Sequence, residues 1–195
     1  MIKFIPNVLT VFRIVLVPFF IYCLVGDFEN SKLYAAILFA IAAMSDFLDG
    51  KIARKYGIIT RFGTFMDPLA DKILVLSAMF TFVILGYIPL WMVIIIIMRD
   101  SFITILRIFM ERNGKTMITS KIGKIKTAIQ MMAINVILFY MIILSYNLNE
   151  IVQLFNNFSI IYIFMFVTTM ITFITGLDYF LKNHKALKMI LMNRE

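Results

Sequence analysis

The chain has 195 residues, of which 62% are hydrophobic, and its mean hydropathy is +0.95. Soluble domains are only about 45–50% apolar, so this composition excludes a soluble domain and indicates an integral membrane protein. The formal net charge is +8, and Cys23 is the only cysteine, which excludes an intramolecular disulfide and a cysteine metal cluster.

Apolar runs long enough to cross a hydrocarbon core of roughly 30 Å recur along the chain. They predict an all-α integral membrane protein with six transmembrane helices, in a single domain covering residues 1–195. In chain order, the predicted helices cover residues 7–25, 32–53, 63–85, 89–112, 127–145 and 159–181. Residues 1–5 are expected to form a short interfacial segment. The first apolar run is followed by no small-residue cleavage site, so we expect a retained helix rather than a signal peptide.

The basic residues fall on one side of this six-span arrangement. They are Lys3, then Lys51, Arg54, Lys55 and Arg61, then Arg107, Arg112, Lys115, Lys121, Lys124 and Lys126, and finally Lys182, Lys185, Lys188 and Arg194. Connections on the other side carry one basic residue, Lys32. The positive-inside rule therefore predicts a multi-pass protein of the cell membrane with both termini on the cytoplasmic side. Because the charges are divided among several segments beside membrane lipid, no nucleic-acid partner is expected.

Residues 46–71 read DFLDGKIARKYGIITRFGTFMDPLAD and place four aspartates at the cytoplasmic ends of the second and third predicted helices. Asp46 and Asp49 are three residues apart and share a helix face, as do Asp67 and Asp71, which are four apart. A short link makes the two helices antiparallel neighbours, so we expect the four carboxylates to converge. Clustered carboxylates at membrane depth repel one another and are costly unless cations hold them.

A cluster of carboxylates with no nearby histidine or cysteine favours hard divalent cations, Mg²⁺ or Mn²⁺, over zinc. Two such ions sharing the four aspartates would form a clamp suited to in-line displacement at phosphorus. Gly50, Ala53 and Gly63 would let a phosphate-bearing ligand approach the backbone closely. The alternative is that the small residues only allow close helix packing, while the acids pair with Lys51, Arg54, Lys72 or Arg99.

The spaced pattern D-x2-D-G-x2-A-R-x8-G-x3-D-x3-D resembles the motif of the CDP-alcohol phosphotransferases, and every fixed position is present. The resemblance implies a six-helix membrane enzyme, acting as a homodimer, that transfers the phosphatidyl group of a CDP-linked lipid to an alcohol and releases CMP. It implies that Asp46, Asp49 and Asp67 bind metal together with Asp71, which is also the implied general base. The implied CDP-lipid contacts in this motif are Asp46, Gly50, Ala53, Arg54 and Gly63.

The opening stretch Pro6-Asn7-x2-Thr10-x2-Arg13 is similar to the N-terminal segment of the same family, where polar side chains meet the cytidine diphosphate. Asn7, Thr10 and Arg13 are three residues apart and share a face of the first helix. We therefore expect them to bind the CDP-lipid. The alternative is an asparagine helix cap followed by an arginine that extends to the membrane interface.

Arg99 stands near the middle of the apolar run of the fourth helix, and Arg107 follows two turns later, so both are expected to face the protein interior. Burying an arginine is costly unless it meets an anion. The stretch Gly123-Lys124-Ile125-Lys126-Thr127-x2-Gln130 is similar to a segment of the bacterial phosphatidylglycerophosphate synthases, a branch of the family. This resemblance implies that the acceptor phosphate is bound by Arg99, Arg107, Lys124 and Lys126. The alternatives are a salt bridge from Arg99 to Asp100 or the acidic cluster, and lysines that only set the topology.

The predicted reaction transfers the phosphatidyl group of CDP-diacylglycerol to glycerol 3-phosphate. Inositol phosphate, phosphatidylglycerol and serine remain alternative acceptors, and serine fits least because it carries no phosphate. A cation transporter would also place carboxylates on adjacent membrane helices, but it would distribute polar groups toward both membrane faces. The last predicted helix carries Thr168, Thr172, Thr175 and Tyr179 at helical spacing, which predicts a packing face.

Overall fold

The computed structural model describes the backbone of residues 5–56, 61–113 and 122–192, and the side chains of residues 8–45, 66, 69–70, 72–110, 112–113 and 125–184. The described backbone is helical, with no strand, and this confirms the all-α prediction. Its seven helices are α1 (Ile5–Val25), α2 (Ser31–Tyr56), α3 (Arg61–Ile84), α4 (Leu90–Arg112), α5 (Ile122–Ser145), α6 (Asn149–Asn157) and α7 (Ile160–Met192).

Three of the described helices are long and apolar enough to cross a membrane, with candidate spans Val8–Val25, Ile125–Ser145 and Ile160–His184. In α2 and α3 the apolar stretches among the described side chains are shorter, Ser31–Ser45 and Lys72–Ile84, and the rest of each helix belongs to the acidic motif or lies beside it. In α4 the apolar run is interrupted by charged residues, namely Arg99, Asp100 and Arg107. Apolar length alone therefore does not confirm six spans.

The helix bounds differ from the predicted ones in three places. The α6 helix was not predicted, because nine residues are too few for a spanning run; its apolar residues Ile151, Leu154 and Phe155 follow an amphipathic spacing, and none of its residues is buried. The α7 helix continues past the predicted end at residue 181, because the end of an apolar run marks a membrane boundary rather than a helix end. The α5 helix begins at Ile122, so Lys124 and Lys126 are helical.

One compact unit of the chain comprises Met1–Tyr87 and Ile134–Phe158. Within it, α1 packs against both α2 and α3, and α2 also contacts α3. Phe20 of α1 and Phe39 of α2 are buried in this contact, with their ring centroids 5.7 Å apart. The first helix is therefore held against the two helices that carry the acidic motif.

Lys32 closes the turn between α1 and α2. Its Nζ donates hydrogen bonds to the carbonyl oxygens of Leu24, at 3.1 Å, and Gly26, at 2.7 Å. The last carbonyls of a helix have no partner inside the helix, and a lysine that reaches them both satisfies them and complements the helix dipole. Asn30 adopts a φ of 58° in the same turn. Lys32 thus binds carbonyl oxygens at the end of α1 and in the turn that follows it.

The second compact unit comprises Ile88–Ala133 and Ser159–Glu195, and within it α4 packs against α7. Ile103, Leu106 and Met110 of α4 form a buried cluster with Tyr179 of α7. The same face of α7 also buries several polar side chains, namely Thr168, Thr172, Thr175 and Asn183. The predicted packing face of this helix is confirmed, and it brings polar groups against α4.

Candidate active site

The acidic motif lies on α2 and α3, as predicted. Asp46 and Asp49 are in α2, whereas Asp67 and Asp71 are in α3, and in a helix each pair lies on one face. The remaining motif positions lie on the same two helices, namely Gly50, Ala53, Arg54 and Gly63. The side chains of these eight positions lie outside the described residues, so the convergence of the four carboxylates stays a prediction.

The donor set of the acidic motif fits a hard divalent cation. All four candidate ligands are carboxylates, which offer the oxygen atoms that Mg²⁺ and Mn²⁺ prefer. Among the side chains that the structure describes, no group of three or more histidine, cysteine, aspartate or glutamate residues forms another candidate metal site. The motif thus stays the candidate for metal binding, on the chemistry of its donors.

Thr10 and Arg13 on α1 are completely buried, with 0% of each residue exposed. An arginine that extends to the membrane interface would keep its guanidinium in contact with water, so the burial of Arg13 contradicts that alternative. A buried arginine is stable only beside an anion, and α1 packs against the two helices that carry the four aspartates. This placement favours a role in the acidic site. The side chain of Asn7 lies outside the described residues.

Arg99, Asp100 and Lys126 form a cluster that joins α4 to α5, and we refer to it as the basic cluster. Asp100 Oδ1 accepts a hydrogen bond from Arg99 Nη1 at 3.0 Å, and Asp100 Oδ2 accepts one from Lys126 Nζ at 2.6 Å. The side chains of Arg99, Asp100 and Lys126 are 12%, 26% and 5% exposed. Two cations thus share one carboxylate, and the largely buried cluster carries a net positive charge.

The salt bridge between Arg99 and Asp100 was one of the alternatives for Arg99, and it is present. It does not use the whole guanidinium, because Arg99 Nε is buried and has no hydrogen-bond partner among the described residues. The Nε–H group of Arg99 is thus a donor that an anion could use. No pattern in the sequence indicated that Lys126 shares the same carboxylate.

Arg107 is exposed on α4, so the expectation that it faces the interior together with Arg99 is wrong for the isolated chain. Eight residues separate the two arginines, which places them about 80° apart around a helix of 3.6 residues per turn. Lys124 lies in α5, and its side chain is outside the described residues. Of the four predicted acceptor contacts, the structure brings Arg99 and Lys126 together.

Three residues of α7 hold Arg99 from the other side. Thr175 Oγ1 accepts a hydrogen bond from Arg99 Nη2 at 3.1 Å, and the guanidinium carbon lies 5.5 Å from the centroid of the Tyr179 ring. A Cβ atom added at Gly176 would lie 2.9 Å from Arg99 Cγ. The spacing of Thr175 and Tyr179 indicated a packing face, but no pattern in the sequence linked this face to Arg99.

Comparisons with known proteins cover most of the chain. Residues 3–174 match the family model described as CDP-alcohol phosphatidyltransferase. The chain is 36% identical over 196 residues to the CDP-diacylglycerol--glycerol-3-phosphate 3-phosphatidyltransferase of Bacillus subtilis (strain 168), covering 94% of this chain and 96% of that protein. It is 43% identical over 135 residues to the protein of the same name from Wigglesworthia glossinidia brevipalpis, covering 67% and 74%.

A third relative is the probable phosphatidylglycerophosphate synthase of Mycobacterium tuberculosis (strain ATCC 25618 / H37Rv), which is 35% identical over 176 residues and matches 89% of this chain and 78% of its own length. The region matched by the family model includes both the acidic motif and the basic cluster, and it ends one residue before Thr175.

Proposed function

Since the chain belongs to the CDP-alcohol phosphatidyltransferase family, we propose that it transfers the phosphatidyl group of CDP-diacylglycerol to sn-glycerol 3-phosphate. The products are phosphatidylglycerophosphate and CMP, which places the reaction in anionic phospholipid biosynthesis. The observation that carries this proposal is the likeness over 94% of the chain to a relative named for this reaction, together with the complete acidic motif.

In this proposal the four aspartates would hold two Mg²⁺ or Mn²⁺ ions per site, which would reduce the negative charge that the phosphate oxygens present to an incoming oxygen. Asp71 accepts the proton of the acceptor hydroxyl as its oxygen bonds to the lipid-linked phosphorus. The bond between that phosphorus and CMP breaks, and CMP leaves with the electron pair. Arg13, buried against the helices of the motif, adds positive charge for the diphosphate, with Asn7 and Thr10 on the same face.

The acceptor is assigned from the basic cluster. Glycerol 3-phosphate brings a phosphate group, and Arg99 and Lys126 supply a largely buried net positive charge with Arg99 Nε unused among the described residues. Charge-assisted hydrogen bonds from arginine to phosphate are among the stronger polar contacts in proteins. Arg107 and Lys124 are the further phosphate contacts in this proposal. Serine lacks a phosphate for these groups, and inositol phosphate is the nearest rival.

The proposed arrangement in the membrane has α1 to α5 and α7 crossing the bilayer, with both termini and the active site on the cytoplasmic side. The distribution of the basic residues supports this orientation. The amphipathic α6, which lies between two apolar candidate spans, would rest in the opposite interface. The active form is proposed to be a homodimer, as the family resemblance implies.

The test is CMP release by the purified protein in detergent with CDP-diacylglycerol and Mg²⁺. Four acceptors are compared separately: glycerol 3-phosphate, inositol phosphate, serine and phosphatidylglycerol. Release that depends on glycerol 3-phosphate alone supports the proposal. Release with another acceptor in its place would overturn the acceptor assignment, and no release with any of them would overturn the proposed reaction.

A further inference from the structure

The buried threonines of α7 differ in how they use their hydroxyl groups. Thr168 and Thr169 donate to the backbone oxygens of Phe164 and Met165, each at 2.8 Å, so these hydroxyls bond back to their own helix. The Thr175 hydroxyl donates a hydrogen bond to the carbonyl oxygen of Thr172 at 2.8 Å, and it accepts a hydrogen bond from Arg99 Nη2 at 3.1 Å. A hydroxyl has one proton to donate, so the proton of Thr175 is directed at its own helix and a lone pair is directed at Arg99.

The guanidinium of Arg99 is consequently fixed at both terminal nitrogens. Asp100 accepts from Nη1 and Thr175 accepts from Nη2, while the ring of Tyr179 lies against the guanidinium. A planar group bound at two nitrogens cannot rotate freely, so the direction of its Nε–H is fixed as well. Nε is the buried donor that no described residue uses, and a phosphate oxygen is the acceptor type that suits it.

Gly176 makes this position of Arg99 possible. A Cβ at this residue would approach Arg99 Cγ to 2.9 Å, which is closer than real Cβ contacts, and Cγ is in the middle of the arginine stem rather than at its flexible end. Glycine inside a helix costs about 1 kcal/mol relative to alanine, so its presence in α7 requires a compensating reason. The approach of the arginine stem provides one.

We infer that Thr175, Gly176 and Tyr179 are positioning residues for the acceptor, because they orient Arg99 so that its Nε edge meets the acceptor phosphate. We call these three residues the α7 platform. The identity of the acceptor rests on the proposed function, whereas the orientation of Arg99 rests on the contacts of the platform. The inference gives α7 a part in acceptor selection beyond the packing face predicted from its sequence.

Thr175→Val and Thr175→Ser test the inference, because valine removes the lone pair and serine keeps it. We expect Thr175→Val to raise the KM for glycerol 3-phosphate roughly five- to tenfold, in line with the loss of one hydrogen bond to a charged group. The KM for CDP-diacylglycerol should change less than twofold, and Thr175→Ser should stay near wild type. Thr169→Val is the matched control, since Thr169 is equally buried but its hydroxyl bonds only its own helix among the described residues.

Gly176→Ala is the second variant, for the case that valine at position 175 prevents folding. It keeps every polar group and displaces only the arginine stem, so the same selective rise in the KM for glycerol 3-phosphate is expected. An unchanged KM for glycerol 3-phosphate in folded Thr175→Val or Gly176→Ala, or an equal rise in both KM values, would overturn the inference alone. Wild-type protein that releases no CMP with glycerol 3-phosphate would overturn the proposed function and the inference with it.

Discussion

Lys126 Nζ lies 2.6 Å from Asp100 Oδ2, and the lysine side chain is only 5% exposed. The same carboxylate binds Arg99 through its other oxygen, at 3.0 Å. One aspartate therefore fixes two cations that come from α4 and α5. Without it, two largely buried positive charges would lose the anion that compensates their removal from water. Asp100 thus holds the basic cluster together.

Asp100→Asn should lower the free energy of unfolding by about 2 kcal/mol, because it weakens two hydrogen bonds to charged groups. Unfolding in mixed micelles measures this change. Asp178→Asn is the matched control: Asp178 pairs with Lys182 at 2.8 Å, the two side chains are 28% and 45% exposed, and both residues are on one helix. Such a surface pair contributes about 0.5 kcal/mol or less. Equal losses in the two variants would show that the shared carboxylate has no special structural role.

Arg107→Ala should raise the KM for glycerol 3-phosphate more than the KM for CDP-diacylglycerol, by roughly tenfold if one charge-assisted contact is lost. The stability of the protein should not change, since Arg107 is exposed. Steady-state kinetics with each substrate varied in turn measures the two KM values. Arg112→Ala, which also removes an exposed arginine of α4, is the control and should leave both values near wild type. A larger rise in the KM for CDP-diacylglycerol than in the KM for glycerol 3-phosphate would show that Arg107 is not part of the acceptor site.

Asp71→Asn should abolish transfer while CDP-diacylglycerol binding is largely retained, because an amide cannot accept the proton of the acceptor hydroxyl. CMP release measures transfer, and retention of the lipid nucleotide on immobilised protein measures binding. The Asp178→Asn variant, which removes a carboxylate from α7 instead, should remain active. An Asp71→Asn protein that still turns over would refute the role of Asp71 as the base.

Arg13→Gln should raise the KM for CDP-diacylglycerol roughly tenfold, because a buried positive charge beside the helices of the acidic motif is lost. The KM for glycerol 3-phosphate should change much less. Arg13→Lys keeps the charge but not the planar fork, so its effect should be intermediate. If Arg13→Gln unfolds at the wild-type temperature and binds CDP-diacylglycerol normally, the residue has no part in donor binding.

The helical fold was predictable because long apolar runs have few other stable forms in a membrane. The predicted ends were good where a turn residue marks them: α3 ends at Ile84, and Gly86 follows with a φ of 79°. The predicted ends were wrong where a helix continues beyond its apolar run, as in α7, which continues to Met192. A nine-residue amphipathic helix such as α6 carries too little apolar length to be found by a search for spans.

The placement of the acidic motif on α2 and α3 was predictable from the sequence, whereas the surroundings of Arg99 were not. That Arg99 needed an anion followed from its position in an apolar run, but its contacts with Thr175 and Tyr179 join residues about 80 positions apart. The family resemblance implied that Lys126 binds the acceptor phosphate, but nothing in the sequence indicated that α5 begins at Ile122 or that Lys126 is buried against Asp100. Contacts between helices that are far apart in the sequence depend on how the helices pack, and the pattern of a single sequence does not reveal this packing.

The central claim is transfer of the phosphatidyl group to glycerol 3-phosphate at a metal-dependent site. Its most direct test follows radiolabelled glycerol 3-phosphate into the lipid phase, using purified protein, CDP-diacylglycerol and Mg²⁺, with and without EDTA. We predict that label enters phosphatidylglycerophosphate in step with CMP release, that EDTA stops both, and that added Mg²⁺ or Mn²⁺ restores both. Transfer that continues in EDTA would contradict the metal assignment, and CMP release without labelled lipid would contradict the proposed acceptor.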